Sequence, residues 1–171
     1  MNPEPSGSVD AREFRTALGR FASGITIMST IQDGVAHAMT ANAFTSVSLD
    51  PPLVLVCVDH AVRMHDAVLD CGEWAISVLA DSHQPIAERF AKSGRDLYSQ
   101  FDGIGIQPGP KTGCPLIEGA LSWLECRTWA TYPGGDHTIV VGEVLSLGSG
   151  EPDDPSALIY YAGGYRALKG R

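Results

Sequence analysis

Hydrophobic and polar residues change their spacing several times along this chain, and each change marks an element. Near the N-terminus Phe14, Leu18 and Phe21 recur at helical spacing behind Asp10 and Glu13, a capping-box pair, until Gly24 closes the run. That pattern predicts an amphipathic first helix. GITIMST and VAHAMTA then flank Gln32-Asp33-Gly34, and Asp-Gly between alternating segments is a strong hairpin signal. Phe44 to Ser48 alternates before meeting Pro51-Pro52, which a central strand cannot carry, so LVLVCV at 53–58 begins a new, heavily buried strand. A short helix over Met64 to Leu69, with Gly72 as its C-terminal cap, leads into the strand WAISVL at 74–79. Asp81 or Ser82 can cap a further short helix running through Ala91, with Ile86 and Phe90 turned inward.

Residues 92–120 show no period and are rich in Gly, Pro, Lys and Asp, which predicts a long, partly ordered excursion near a functional surface. LSWLECRTWATY at 121–132 and HTIVVGEVLSLG at 137–148 read as two long strands joined by Pro133-Gly134-Gly135-Asp136. After EPDDP, LIYYAGGYRAL reads as a final strand broken or bulged at Gly163-Gly164. Seven or eight strands and three short helices without regular alternation disfavour a parallel doubly wound sheet. The expectation is a mainly β chain: a closed antiparallel barrel with appended helices. A length of 171 residues suits one domain, taken as 10–171 behind a disordered lead at 1–9.

Composition narrows the possibilities. The 19 Gly and 11 Pro favour many short strands and turns over a helix bundle. A net charge of -8 is opposite in sign to a phosphate-backbone binder, so nucleic acid is a poor partner, although a local cluster of donors can still hold an anionic small ligand. The longest strongly apolar run, Leu53 to Val58, is too short to span a membrane, and the N-terminus has neither a basic start nor an apolar stretch. No membrane association and a cytoplasmic location are therefore expected. Cys57, Cys71, Cys114 and Cys126 form no CxxC pair and read as reduced thiols in or near the core. His37, His60, His65 and His83 follow no metal-binding spacing, so no metal is expected. Neither Ser48 nor Ser77 lies in a GxSxG elbow, which removes the usual signature of a hydrolytic nucleophile.

The segment Met39 to Ser48 gathers hydroxyl and amide side chains among small residues at a strand edge. Such a surface lets a planar ligand approach the backbone, although a solvent-facing Ser/Thr strand has the same composition. TANAFTSVSLDPPLVLVCV, AERFA at 87–91, PLIEGALSWLEC at 115–126, YPGGDHTIVVGEV at 132–144 and YYAGGYRAL together resemble the flavin reductase-like family, the short-chain reductase components of two-component flavin monooxygenases. The resemblance runs from about Phe14 to Leu168. It implies the FMN-binding split barrel, an antiparallel Greek-key β-barrel that dimerises with flavin near the subunit interface. It also implies an activity: NADH or NADPH reduces FMN or FAD, and the reduced flavin serves a separate monooxygenase. Trp123 and Trp129 could line a homodimer interface or the core.

Carried over by that resemblance, Thr40, Ala41 and Asn42 would border the flavin ring, and Thr45, Ser46, Val47 and Ser48 would contact its edge or ribityl phosphate. Cys57, Val58 and Asp59 lie where the family's next strand passes the ring. Arg89 and Phe90 of AERFA are similar to residues near the phosphate or ring, with a solvated helix face and plain core as the alternatives. Relatives often carry small polar residues where this chain has Asp59 to Met64, which makes Arg63 a candidate phosphate contact. His137 of the GDH motif looks like the family's nicotinamide contact and is the catalytic candidate. Tyr165 and Arg166 are similar to a C-terminal element closing over the nicotinamide, or else pack in the barrel. The rival expectations are a flavin- or haem-binding split barrel without turnover and a split-barrel reductase of another cofactor such as a corrinoid.

Overall fold

The computed structural model describes residues 9–153 and 155–168. Helix α1 spans Ala11–Leu18, and β1 is the short Ser23–Gly24. Strands β2 (Thr26–Gln32), β3 (Val35–Ala41), β4 (Phe44–Leu49) and β5 (Pro52–Asp59) follow, then α2 (Arg63–Cys71) and β6 (Glu73–Val78). A 3-10 turn at Asp81–His83 runs into α3 (Gln84–Ala91), followed by the short β7 (Ile106–Pro108) and β8 (Pro115–Ile117). The long pair β9 (Ser122–Gly134) and β10 (His137–Ser149) precedes β11 (Ala157–Tyr161) and β12 (Gly164–Leu168).

Seven strands form one sheet in the order β3-β2-β6-β9-β10-β5-β4, antiparallel at every junction. Its hydrophobic interior holds Ala41 from one edge strand together with Val54, Val56 and Val58 from β5, and Phe44 of the opposite edge packs against the same cluster. For both edges to share one core the sheet must curl on itself. Met64 and Val68 of α2 cover this interior. Strand β2 is buried on both faces, with Met28 in the first core and Ile27 in a second one under α3 that also contains Leu79, Phe90 and Leu158. The expected antiparallel, mainly β architecture with short helices is therefore what the chain adopts.

Turn chemistry explains the register. Asp33 and Gly34 both have positive φ (52° and 78°), as the twist of a two-residue hairpin demands. Gly72 ends α2 in the left-handed region at φ 69°, its N–H bonded to the Val68 carbonyl at 3.1 Å.

Three expectations need correction. Helix α1 stops at Leu18, capped by Gly19, rather than continuing toward Gly24, and its Asp10 cap accepts from the Arg12 and Glu13 N–H groups. Its apolar face is not buried in this chain: Phe14, Leu18 and Phe21 are 55%, 56% and 78% exposed. Neither Asp81 nor Ser82 caps α3, which begins at Gln84 behind the 3-10 turn with Pro85 in its first turn. Residues 92–120 are an ordered segment. They carry the β7–β8 ladder and bury Gln100, Cys114, Leu116, Ile117 and Ala120. Of the two alternatives at Gly163-Gly164 the break holds: Ala162 and Gly163 have φ of 50° and 77° and reverse the chain, making β11 and β12 a hairpin rather than one bulged strand. The expected disordered lead at 1–9 lies, but for Val9, outside the described residues.

Candidate functional site

The β9–β10 hairpin presents His137 at the first residue of β10. Its turn is Gly135-Asp136, with Gly135 at φ 77°. Across the ladder His137 faces Asp59, the last residue of β5, so two predicted site residues meet as cross-strand neighbours. Asp136 Oδ1 lies 2.7 Å from His137 Nδ1, and this bond together with the imidazole charge holds the exposed Asp136 carboxyl below the usual range. The Nδ1–H tautomer that this bond selects leaves Nε2 as the ring nitrogen open to a ligand. The His60 N–H, bonded to the Asp136 carbonyl at 3.1 Å, ties the turn to the end of β5.

Beside it the imidazoles of His60 and His65 converge on one hydroxyl. Thr138 Oγ1 is 3.2 Å from His60 Nε2 and 2.9 Å from His65 Nε2. Asp66 Oδ1, 2.9 Å from His65 Nδ1, selects the Nδ1–H tautomer. Thr138 therefore donates to His65 and accepts from His60, since one hydroxyl carries one proton. The sequence holds no signal for this relay, because His60, His65 and Thr138 meet only through strand pairing.

A hollow of about 340 Å³ opens between β3, the start of α2 and the loop after α3. His37, Arg63, Lys92 and Arg95 line it, and its described lining includes no Asp or Glu. The Arg95 guanidinium donates to the Ala38 carbonyl at 2.8 Å and to the carbonyls of Arg89 and Lys92, and it sits 5.2 Å over the Phe90 ring. Each of these partners is neutral. Burial and the charges of Arg63 and Arg89 shift the Arg95 guanidinium downward, and burial with Arg63 does the same to His37. Three residues that line this hollow each carry a buried side-chain atom with no hydrogen-bond partner among the described residues: His37 Nδ1, Arg95 Nε and Gln100 Oε1. A cluster of cationic side chains whose described lining holds no carboxylate fits an anionic group carried by a polar ligand.

The predicted residues divide between this hollow and other places. Arg63 lines it, and its guanidinium donates to the Arg95 carbonyl. Phe90, 2% exposed, belongs to the core under α3 and also forms the hollow's floor. Arg89 donates to the Asp102 and Ser99 carbonyls at 2.8 and 2.9 Å and borders a neighbouring hollow. Thr40 to Ser48 run from the end of one edge strand, β3, into the other edge strand, β4, outside both hollows. There the Thr40 hydroxyl donates to the Ala87 carbonyl at 2.6 Å, and Ala41 is buried with its carbonyl accepting from Thr26. Asn42 is exposed and bonds Ser23 at 3.2 Å. Thr45, Ser46 and Val47 are exposed on β4, with a register irregularity at Val47, while the Ser48 hydroxyl accepts from the Asp50 N–H. Cys57 is half-buried, and the fully buried Val58 side chain points into the core, leaving only its backbone for a ligand. Asp59 accepts from the Ala61 N–H at 2.8 Å. Tyr165 packs edge-on against Tyr160 with ring centres 5.6 Å apart, and burial raises its phenol. Arg166 is exposed, bonded to the Tyr165 carbonyl. Sequence reasoning missed His37, Lys92, Arg95 and Gln100, three of which sit at or inside the aperiodic segment that carried no pattern to read.

Residues 18–169 match the flavin reductase like domain. An NADH-dependent flavin reductase of Rhodococcus sp. is 40% identical, over 97% of this chain and 93% of that protein. The crystal structure of BorF, the flavin reductase component of a bacterial two-component tryptophan halogenase, superposes with a TM-score of 0.88 at 44% identity, over 95% of this chain and all of that one. The NADH:FAD oxidoreductase SgcE6 of Streptomyces globisporus C-1027, solved with NAD and FAD fragments, gives a TM-score of 0.85 at 36% identity, over 95% and 97%. This chain belongs to the flavin reductase-like family.

Proposed function

We propose that the chain is an NAD(P)H:flavin oxidoreductase that holds its flavin through phosphate contacts in the basic hollow and supplies reduced flavin to a separate monooxygenase. The observation that carries this reading is the hollow itself, which gathers Arg63, Lys92, Arg95 and His37 with no carboxylate in its described lining, in a chain of net charge -8. Flavin supplies the hydride-accepting chemistry when bound, and the protein contributes position and electrostatics. Arg63 and Arg95 offer guanidinium donors to a phosphate, with Phe90 beneath Arg95. The exposed small residues from the end of β3 into β4 suit the ring. His137 Nε2, an acceptor with Nδ1 committed to Asp136, suits the amide N–H of a nicotinamide carboxamide.

The curled sheet is read as the FMN-binding split barrel, with 10–171 as a single domain. The exposed apolar side chains of α1 favour a homodimer in which a second copy covers them. Trp129, 56% exposed, suits that interface, whereas Trp123 packs on the cluster around Leu116. Among the described residues no helix is long and apolar enough to cross a membrane, and a cytoplasmic setting suits the four free thiols.

The test is loss of reduced-nicotinamide absorbance with NADH or NADPH and added FMN, FAD or riboflavin. Turnover that depends on flavin is expected; tight flavin retention without turnover would make the chain a binding module. His137→Ala should raise KM for NADH about tenfold, the effect of one lost hydrogen bond, while changing flavin affinity less. Equal loss of both would make His137 structural. Arg63→Ala should weaken flavin most at low salt, where a charge contact is strongest.

A further inference from the structure

Directly opposed residues of an antiparallel pair share one face of the sheet, so Thr138 lies with Val58, whose side chain is in the core, and His137 lies with Asp59 on the other face. Thr138 thus turns toward α2, where His65 meets it, and His137 turns away from it. The rung His137–Asp59 is the last of the β5–β10 ladder, and a ladder opens most easily at its end. We propose that Thr138 is a positioning residue for the nicotinamide contact. Its hydroxyl, shared between His60 and His65, pins the end of β5 and the first turn of α2 to the strand end that carries His137. This rests on the reading that His137 meets the nicotinamide.

The bonds around this hydroxyl run in one direction. The exposed Asp66 carboxylate accepts from His65 Nδ1–H, so His65 Nε2 is the acceptor for the Thr138 proton at 2.9 Å. The Thr138 oxygen then accepts from His60 Nε2–H at 3.2 Å. Two imidazoles packed edge-on, with ring centres 4.9 Å apart, therefore hold opposite tautomers. His60 ties the hairpin twice, by its ring on Thr138 and by its N–H on the Asp136 carbonyl, and the Asp136 carboxylate holds His137 Nδ1. Loss of the Thr138 hydroxyl frees the His60 ring and slackens the turn that orients the His137 imidazole. The His65–Thr138 bond also sets α2 against β10, and α2 opens with Arg63 of the basic hollow. Arg63 is held separately by its bond to the Arg95 carbonyl, so the slack reaches the nicotinamide side first. Hydride transfer is sensitive to placement on the ångström scale.

The experiment compares wild type, Thr138→Val, Thr138→Ser, His137→Ala and the double variant His137→Ala/Thr138→Val. It uses steady-state kinetics with NADH and FMN or FAD, and nitrogen NMR of the histidine rings in the intact protein. Valine keeps the branched shape and strand preference of threonine while removing the hydroxyl. Thr138→Val should raise KM for NADH about three- to tenfold, the effect of a lost hydrogen bond, with kcat and flavin affinity changed less than about twofold. Thr138→Ser should restore KM to near the wild-type value. Added to His137→Ala, the valine change should raise KM by less than about twofold more, because Thr138 acts through His137. NMR should report opposite tautomers for His60 and His65 in the wild type and loss of the His60 preference in Thr138→Val. His60→Ala alters an exposed residue, should raise KM for NADH in the same way, and carries the test where the valine variant fails to fold. A rise in KM with His137→Ala but not with Thr138→Val overturns the positioning role and leaves the nicotinamide reading intact. No rise with either overturns both. Additive effects in the double variant, equal loss of flavin affinity, no rescue by serine or like tautomers in the two rings would make Thr138 a structural tie and overturn the inference.

Discussion

Glu125 and Arg95 are both charged side chains drawn inward, and their surroundings differ in kind. Glu125, fully buried in β9, has its carboxylate met by the Lys111 and Thr112 N–H groups at 3.0 and 2.7 Å and by the Thr112 hydroxyl at 2.8 Å. Every bond runs to the loop between β7 and β8, and a Cβ at Gly109 would collide with the same carboxylate. Arg95 has carbonyls and an aromatic face, and among the described residues no ion pair engages it. A charge whose bonds all close within the chain organises a loop; one left open is built for something that arrives from outside.

Replacing Glu125 by Leu gives the largest expected effect. It strands several buried donors at once and should cost about 3–5 kcal/mol of stability in urea unfolding. A loss below about 1 kcal/mol would mean the loop finds other acceptors and would erase the contrast with Arg95. Next comes ligand linkage. Inorganic phosphate at about ten times its Kd should stabilise the wild type by about 1.4 kcal/mol, raising Tm by about 3–5 °C, and should stabilise Arg95→Gln much less. Equal protection of both proteins would place the anion elsewhere.

The smallest effect concerns pH. His37 is 8% exposed and its pKa is lowered by burial and then by Arg63, and His83 is lowered chiefly by burial. Groups with depressed native pKa leave the native state holding fewer protons than the unfolded chain just below the ordinary histidine value. Stability therefore falls as pH drops from about 6.5 toward those lowered values. Tm measured at pH 7.5 and pH 5.5 should fall on acidification in the wild type and fall less in His37→Gln. Phosphate should reduce the drop, since an anion in the hollow favours the protonated ring.

Much of the architecture was legible along the chain because it depends on local chemistry. Asp33-Gly34 and Gly135-Asp136 set two hairpins through backbone conformations open to few residues, and Gly72 ended a helix for the same reason. The GDH and TANAFTSVS segments pointed to the family before any geometry. Residues 92–120 were illegible because their order comes from distant side-chain bonds rather than from any period: Arg95 and Gln100 donate to the Ala38 and Ala36 carbonyls, and Glu125, thirteen residues beyond Thr112, reaches back to the Lys111 and Thr112 N–H groups. The apolar stripe of α1 was legible as a stripe, but not the fact that it stays exposed in this chain.

The sequence by itself determined where the chain turns, which strands are buried and which family it joins, because turn propensity, period and motif are properties of neighbours. Only the tertiary structure decided that Arg63, Arg95, His37 and Gln100 share one hollow, that His60 and His65 meet on Thr138, and that Asp59 faces His137. Those groups are far apart in the chain, and strand pairing and packing set their distances.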